Sequence, residues 1–320
     1  VNSPEREVTW IPPGASGPVR LNPGDADVSF SQKDVLPSLG FELKPLAKVT
    51  LRGSYSQTVA RQTFKELSPI QQQEYLGGDV FIGNPYLGMS SLKNYDLRLD
   101  YTPYQGGLAS VSYFFKDVKD PIEYVQRNAG FTYTTPVNYP NGTLSGFELE
   151  LRQEVGHFWK RFEGLSLGAN ATFISSEVTL PDDEAAGFDL PNIRAPMKSR
   201  NMTNAPEHLY NFFMSYQLDT LGLKGTQLSL FYTVRGDTLV AGAGQSNGKF
   251  VPDVYELEYG TLNLSLAQKI GDNCKVTFQA KNLTNPEIQK AYRSEYIGDD
   301  VVKNSYKKGM EFSLGLGFEF

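Results

Sequence analysis

Apolar and polar residues alternate with period two from about residue 36 to the C-terminus, and the segments joining these stretches fall into two length classes. In "KVTLRGSYSQT", Val49, Leu51, Gly53 and Tyr55 share one face. In "NYDLRLDYT", Tyr95, Leu97, Leu99 and Tyr101 oppose Asn94, Asp96, Arg98 and Asp100. Similar stretches recur around 107–115, 145–154, 165–173, 208–218, 227–235, 261–269 and 275–282, with a weaker one at 36–44. At the C-terminus, Met310, Phe312, Leu314, Leu316, Phe318 and Phe320 alternate with Glu311, Ser313, Gly315, Gly317 and Glu319. Such alternation marks strands with one apolar face, about eleven in all. The joins near 45–48, 103–107, 156–164, 219–225 and 271–273 are short; those at 59–91, 119–143, 178–205, 238–256 and 284–308 are long.

Short and long joins alternate without a break, so every long one sits at the same end of the strands. Unstructured connections above about 12–15 residues are uncommon in compact soluble domains. An outer-membrane barrel has this asymmetry by construction: strands of about ten residues, short periplasmic turns and long outer loops. Closure also pairs the backbone groups that hydrocarbon would leave unsatisfied. The expected fold is therefore all-β, an antiparallel transmembrane β-barrel. A soluble antiparallel sandwich, propeller or barrel is the competing architecture, since its strands alternate too. Charged residues on the polar faces, such as Arg52, Arg98, Asp100, Glu148, Glu150 and Arg152, suit a wet lumen better than a dry core, where charges must be paired.

The mean hydropathy of -0.36 fits strands that are apolar on one side only. A net charge of -6 argues against binding by phosphate neutralisation. With one cysteine, Cys274, there is no intrachain disulfide, and with two distant histidines, His157 and His208, a His/Cys metal site is not expected. No apolar run is long enough for a membrane helix. Neither a Gly-x-Ser-x-Gly nucleophile turn nor a phosphate loop occurs, so no enzymatic activity is expected and no cofactor. The pairs Asp182/Asp183 and Asp299/Asp300 could bind Ca²⁺, but solvated loop charge is the favoured reading, since such pairs are ordinary.

The segments "LRGSYSQTVARQTFKELSP" (51–69) and "GNPYLGMSSLKNYDLRLDYTP" (83–103) resemble the C-terminal barrel of TonB-dependent receptors. Arg52, Tyr55, Ser56, Ala60, Arg61 and Phe64 match the family's first element; Gly83, Asn84, Pro85, Leu87, Asn94, Tyr95 and Leu97 match the second. Gln62 departs from a frequent Pro. "FFKDVKDPI", "GTLSGFELEL" and "TFQAKNLTNPE" are similar to later segments of the family, and Phe320 to its aromatic end.

The resemblance implies a barrel of about 22 strands around a plug, of which residues 36–320 would form the C-terminal half. Residues 1–35 would be an outer loop and partial strand; plug and TonB box are expected upstream. It implies TonB-dependent uptake of a scarce ligand across the bacterial outer membrane: a ferric siderophore, a cobalamin, or an oligosaccharide. TonB complex, outer-membrane lipid and the barrel-assembly machinery, recognising Phe320, would be its partners. Phe312, Leu314, Leu316 and Phe318 would face lipid. Ligand contacts are expected among polar and aromatic loop residues: Arg61, Tyr75, Asn84, Arg194, Arg200, Asn201, Tyr255, Tyr292 and Arg293. Aromatics stack on sugars or flat chelates, and Arg pairs with anions. A passive porin, with about 16–18 strands and no plug, and a soluble carbohydrate-binding β protein are the alternatives.

Overall fold

The alternating stretches form one antiparallel sheet in the computed structural model, which describes residues 8–10, 19–21, 32–73, 78–128, 130–246, 248–271 and 273–318. Its eleven long strands are β1 (Ser38–Leu46), β2 (Val49–Ala60), β3 (Ser90–Tyr101), β4 (Gly107–Lys119), β5 (Asn141–Glu154), β6 (Leu165–Thr179), β7 (His208–Gln217), β8 (Thr226–Arg235), β9 (Tyr259–Ile270), β10 (Cys274–Lys281) and β11 (Glu311–Phe318). Each pairs with its neighbours in sequence, from β1 at one edge to β11 at the other. Among the described residues β1 pairs only with β2 and β11 only with β10, so both edges are open, as expected of part of a barrel wall. The strand expected over 48–58 runs Val49–Ala60. Val8–Trp10 and Val19–Leu21 form a separate two-stranded pair.

Short turns and long connections alternate as the sequence indicates. Gly106 (φ 86°) and Gly222 (φ 85°) take the left-handed conformation that reverses the chain within a short turn.

The register stacks apolar residues on one face across the sheet. Leu51, Leu99, Val111, Leu149 and Ala171 lie directly opposite one another from strand to strand. Aromatic neighbours meet on this face, including Tyr55–Tyr95 (ring centroids 5.1 Å), Tyr113–Phe147 (5.1 Å) and Phe173–Tyr210 (5.8 Å). Nothing among the described residues covers them: on β11, Leu314 is 71% and Leu316 64% exposed. Phe312 and Phe318 are likewise exposed. In a two-sheet sandwich these side chains would be the core. Phe320 lies outside the described residues. A Cβ on Gly315 or Gly317 would meet nothing nearer than 3.8 Å, so contacts within this chain do not require glycine there.

The opposite face carries ion pairs. Arg52 bonds Glu42 (2.9 Å) and Asp100; Arg98 bonds Asp100 (2.7 Å) and Glu150 (2.8 Å). The Arg98–Glu150 bridge crosses β4, where the residues opposite Arg98 and Glu150 are Ser112 and Ser110. Both hydroxyls are buried with no partner among the described residues. Farther along, Asn211 donates to Asn170 (2.8 Å) and accepts from Thr233 (2.8 Å).

A buried apolar cluster lies at the loop end of the sheet. It consists of Val125, Tyr139, Val178, Leu180, Phe188, Ile193, Ala195 and Ala243, contributed by the long connections and the tops of the strands that carry them.

Candidate functional site

Four of the long connections fold into two further sheets at one end of the barrel wall. Gln71–Gln73, Val80–Ile82, Thr132–Asn138 and Ile122–Asn128 make one sheet; Thr238–Ala241, Asp253–Glu256, Ile288–Arg293 and Val301–Tyr306 make the other. They meet at a parallel bridge, Val125 to Gly242. There the Gln126 amide donates to the Gly242 carbonyl (3.0 Å) and the Gly242 amide to the Tyr124 carbonyl (2.7 Å). The connection before the first sheet starts with a helical turn, Phe64–Leu67, closed by a Thr63–Glu66 capping box.

A charged cluster holds the loops together. Arg200 is buried, its guanidinium 3.6 Å from Glu123 and over the Tyr139 ring at 5.0 Å. Glu123 also accepts from the Thr203 amide (3.0 Å), and Asp253 from the Ala243 amide (2.6 Å). Burial pushes Glu123 up to about 6, against the pull of Arg200. Arg127 pairs with Glu184 (2.7 Å), which also accepts from the Tyr139 hydroxyl. A Cβ on Gly242 would overlap the Arg200 guanidinium, so a larger residue there would force that buried side chain to shift.

Between the two loop sheets lies a cavity of about 440 Å³ whose lining includes Lys65, Gln72, Asp79, Phe81, Tyr124, Lys290 and Lys303. Asp79 bonds Lys303 (2.6 Å) and Lys290 (3.1 Å), and this pair of cations holds its carboxylate below the usual range in spite of burial. Lys65 stands over the Phe81 ring at 4.8 Å. Burial raises the Tyr124 hydroxyl, which donates to Glu66 (2.9 Å). Lysines outnumber carboxylates among the described lining residues, with Lys290 and Lys303 both on Asp79, and two aromatic rings stand in the wall. Such a lining suits an anionic ligand with flat rings.

The sequence-derived candidates separate into groups. Asn201, Tyr255 and Arg293 come together: the Asn201 side chain is near enough to the Tyr255 hydroxyl to favour its ionised form, and the Arg293 guanidinium lies 4.6 Å over the Tyr255 ring. Burial pushes the Tyr255 hydroxyl up to about 12. Arg293 also bonds Asp300 (2.7 Å) and Asp237 (2.8 Å). Tyr292 is next in sequence to Arg293, with Lys303 over its ring at 5.4 Å. Arg200 is the buried cation described above. Asn84 is buried, donating to the Pro136 carbonyl (3.1 Å) and accepting from the Tyr86 amide (3.0 Å). Arg194 bonds the Pro191 carbonyl (2.8 Å), and Arg61 is exposed where β2 ends. Tyr75 lies outside the described residues.

Among the described residues none of these candidates lines the lysine cavity. Gln72 and Gln73, polar residues of the first long connection, do. Lys290 and Asp79, which the sequence reading did not single out, come from connections 211 positions apart, and no local pattern links them.

The family described as TonB dependent receptor-like, beta-barrel, matches residues 15–283. A similar curated protein is the iron-regulated outer membrane virulence protein of Vibrio cholerae, 25% identical over 281 residues, covering 85% of this chain and 37% of that protein. The ferric enterobactin receptor of Pseudomonas aeruginosa, solved with enterobactin, aligns at a TM-score of 0.56 and 16% identity over 89% of this chain and 40% of that one. The FrpB iron transporter of Neisseria meningitidis aligns at a TM-score of 0.56 and 14% identity over 90% and 39%. The chain thus spans about two fifths of the length of the relatives it matches. The uncovered apolar face, the polar inner face and the alternation of turns and folded loops accord with this match, and the chain belongs to the TonB-dependent receptor β-barrel family of the bacterial outer membrane.

Proposed function

We propose that this chain forms the wall and part of the outer mouth of a receptor that takes up a ferric siderophore-type ligand, driven through TonB. The cationic, ring-walled cavity between the loop sheets is the observation that carries the ligand class. Ferric catecholate-type chelates are anionic and present flat rings, and Lys290, Lys303 and Lys65 with Phe81 and Tyr124 supply the complementary chemistry. The iron-regulated Vibrio relative supports iron over the cobalamin and oligosaccharide alternatives. Tyr255, Asn201 and Arg293 would hold the adjacent loop sheet in shape, and Arg61 would offer a cation at the mouth. On this reading the partners are the TonB complex, outer-membrane lipid and the barrel-assembly machinery.

The test is uptake of an iron-labelled tricatecholate chelate by cells expressing the full-length protein, with and without functional TonB. TonB-dependent uptake that falls at least ten-fold in Lys290→Gln/Lys303→Gln, with normal amounts in the outer membrane, is expected. Uptake without TonB would indicate a passive pore. Uptake untouched by the lysine substitutions would remove the cavity from the pathway.

A further inference from the structure

The short-turn end of the sheet has a feature that neither the lumen nor the loops use. The turn 155–164 joins β5 to β6 and projects Phe158, Trp159 and Phe162, which are 58%, 63% and 41% exposed. Its shape is fixed by two tight helical turns, with Phe158 bonded back to Val155 (3.0 Å) and Glu163 to Lys160 (3.1 Å). The His157 ring stacks flat on Tyr104 of the preceding turn at 3.7 Å. The next turn, 218–225, is tied to it by Gln217 donating to the Gly164 carbonyl (2.9 Å) and Thr220 to the Glu163 carbonyl (3.4 Å). That turn adds exposed Leu221 and Leu223.

Exposed cations sit among these apolar groups: Lys160 and Arg161 on the first turn, Lys224 on the second. No ion pair among the described residues engages them. The acids nearby are Glu154, whose carboxylate accepts from the Ser166 hydroxyl, Glu163, which is exposed, and Asp219, whose carboxylate accepts from the Gly225 amide (2.7 Å). Directly above, the lipid face has an apolar groove of about 570 Å³ lined by Leu151, Leu167, Ala169, Phe212, Met214 and Tyr232. It exists because Ala169 lies in register between Leu151 and Phe212, where a larger side chain would fill it. Gln153 and Leu167 at its lower end are each within three residues of the turn. The groove lies on strands interior to the sheet, away from both open edges, so barrel closure leaves it accessible.

We infer that the groove and the Lys160/Arg161/Lys224 cluster form one binding site for an anionic glycerophospholipid of the periplasmic leaflet, with an acyl chain over Ala169 and the phosphate at the cations. Aromatic belts hold barrels at the interface in general. What distinguishes this site is a headgroup-level cluster of cations placed beneath an acyl-sized groove. Short turns lie on the periplasmic side, out of reach of the outer-leaflet glycolipid. The site does not depend on which ligand the receptor transports.

Native mass spectrometry of the full-length protein in mild detergent, with phosphatidylglycerol or phosphatidylethanolamine added, tests this. The unaltered protein is expected to retain one phosphatidylglycerol in preference to phosphatidylethanolamine. Removing two headgroup-level cations, at roughly five-fold each, should lower phosphatidylglycerol affinity by about an order of magnitude or more in Lys160→Gln/Arg161→Gln and abolish the preference. Ala169→Leu, which fills the groove, should weaken retention of both lipids; heat-modifiable gel mobility establishes that each variant is folded. Equal phosphatidylglycerol retention by unaltered protein and Lys160→Gln/Arg161→Gln would overturn the proposal. So would unchanged retention in folded Ala169→Leu, or displacement of the phospholipid by lipid A.

Discussion

Replacing Arg200 with Met asks whether the loop core depends on its buried charge or on packing alone. The Arg200 side chain is 4% exposed and the Glu123 side chain 1%, and Asp253 is a second buried carboxylate beside them. Met keeps an apolar body against Tyr139, so lost packing is a minor part of the change. The carboxylates lose their cation. Breaking a buried pair from one side costs about 3–5 kcal/mol, and the low end applies because a carboxyl group can escape by taking up a proton. Burial already holds Glu123 at about 6 with Arg200 in place; without it the value rises further. A native value above the unfolded 4.5 means that the folded state binds the proton more tightly. The Glu123 contribution to loop stability is therefore greatest below pH 4.5 and falls as pH rises through 6, by about 2 kcal/mol. In Arg200→Met the fall is larger and extends to higher pH. The assay is hydrogen exchange at the Gln126 and Gly242 amides, whose bonds join the two loop sheets, with mid-strand Leu149 as the internal reference. A deficit of about 3 kcal/mol is a loss of protection of roughly 150-fold at pH 8, shrinking markedly at pH 5. Arg200→Met/Glu123→Gln should recover much of it. A deficit equal at both pH values, or below ten-fold at pH 8, would refute the role of charge.

Gly242→Ala forces a Cβ to within 1.9 Å of the Arg200 guanidinium and should cost about 1–3 kcal/mol as overpacking, seen as weaker protection of the loop amides with barrel mobility on gels unchanged. Leu149→Arg places a charge in the middle of the uncovered apolar face and should cost about 2–4 kcal/mol in urea unfolding from liposomes, whereas Glu148→Gln, on the other face, should stay within about 0.5 kcal/mol. A double-mutant cycle on Arg98→Gln and Glu150→Gln should give a coupling below about 1 kcal/mol, because both partners remain partly exposed to a wet lumen; a coupling above twice that would mean the bridge is desolvated in the complete protein.

Strand number, direction and the positions of the uncovered apolar face were legible because period-two alternation and join length are local properties. Tyr95, Leu97, Leu99 and Tyr101 report their face directly from sequence, as do Phe312 to Phe318. The loops obey no such period. Their strands are short, such as Gln71–Gln73 and Thr238–Ala241, and their partners come from other loops. Arg200 illustrates the difficulty: in sequence it is a loop arginine like Arg61 or Arg194, yet it is buried because Glu123, Asp253 and Gly242 converge on it from two other connections. The lysine cavity is hidden for the same reason, since Asp79 gathers Lys290 and Lys303 from the far end of the chain.

Strand length explains how the loops come to have a core at all. A barrel strand needs about 9–11 residues to span the membrane, but β4, β5 and β6 have 13, 14 and 15. On the uncovered apolar face the row Tyr55, Tyr95, Phe115 is followed by the row Gln57, Lys93, Asp117, Thr143, Glu177, with Lys93 and Asp117 paired at 3.6 Å. Beyond this row the pattern inverts, with polar residues outward and Val118 and Val178 buried on the other side. The strand tops are therefore soluble-type sheet, and they supply the apolar base on which the connections pack; Val178, directly opposite Arg200, joins base to loops. Val178→Thr separates the two regimes. A hydroxyl there is buried beneath the loops but lies above the lipid, so it should cost about 1–3 kcal/mol of loop stability without affecting membrane insertion. Loop amides should exchange at least five-fold faster while mid-barrel amides and heat-modifiable mobility hold. A matching loss across the barrel strands would mean that the loops and wall unfold as one unit and that no such boundary exists.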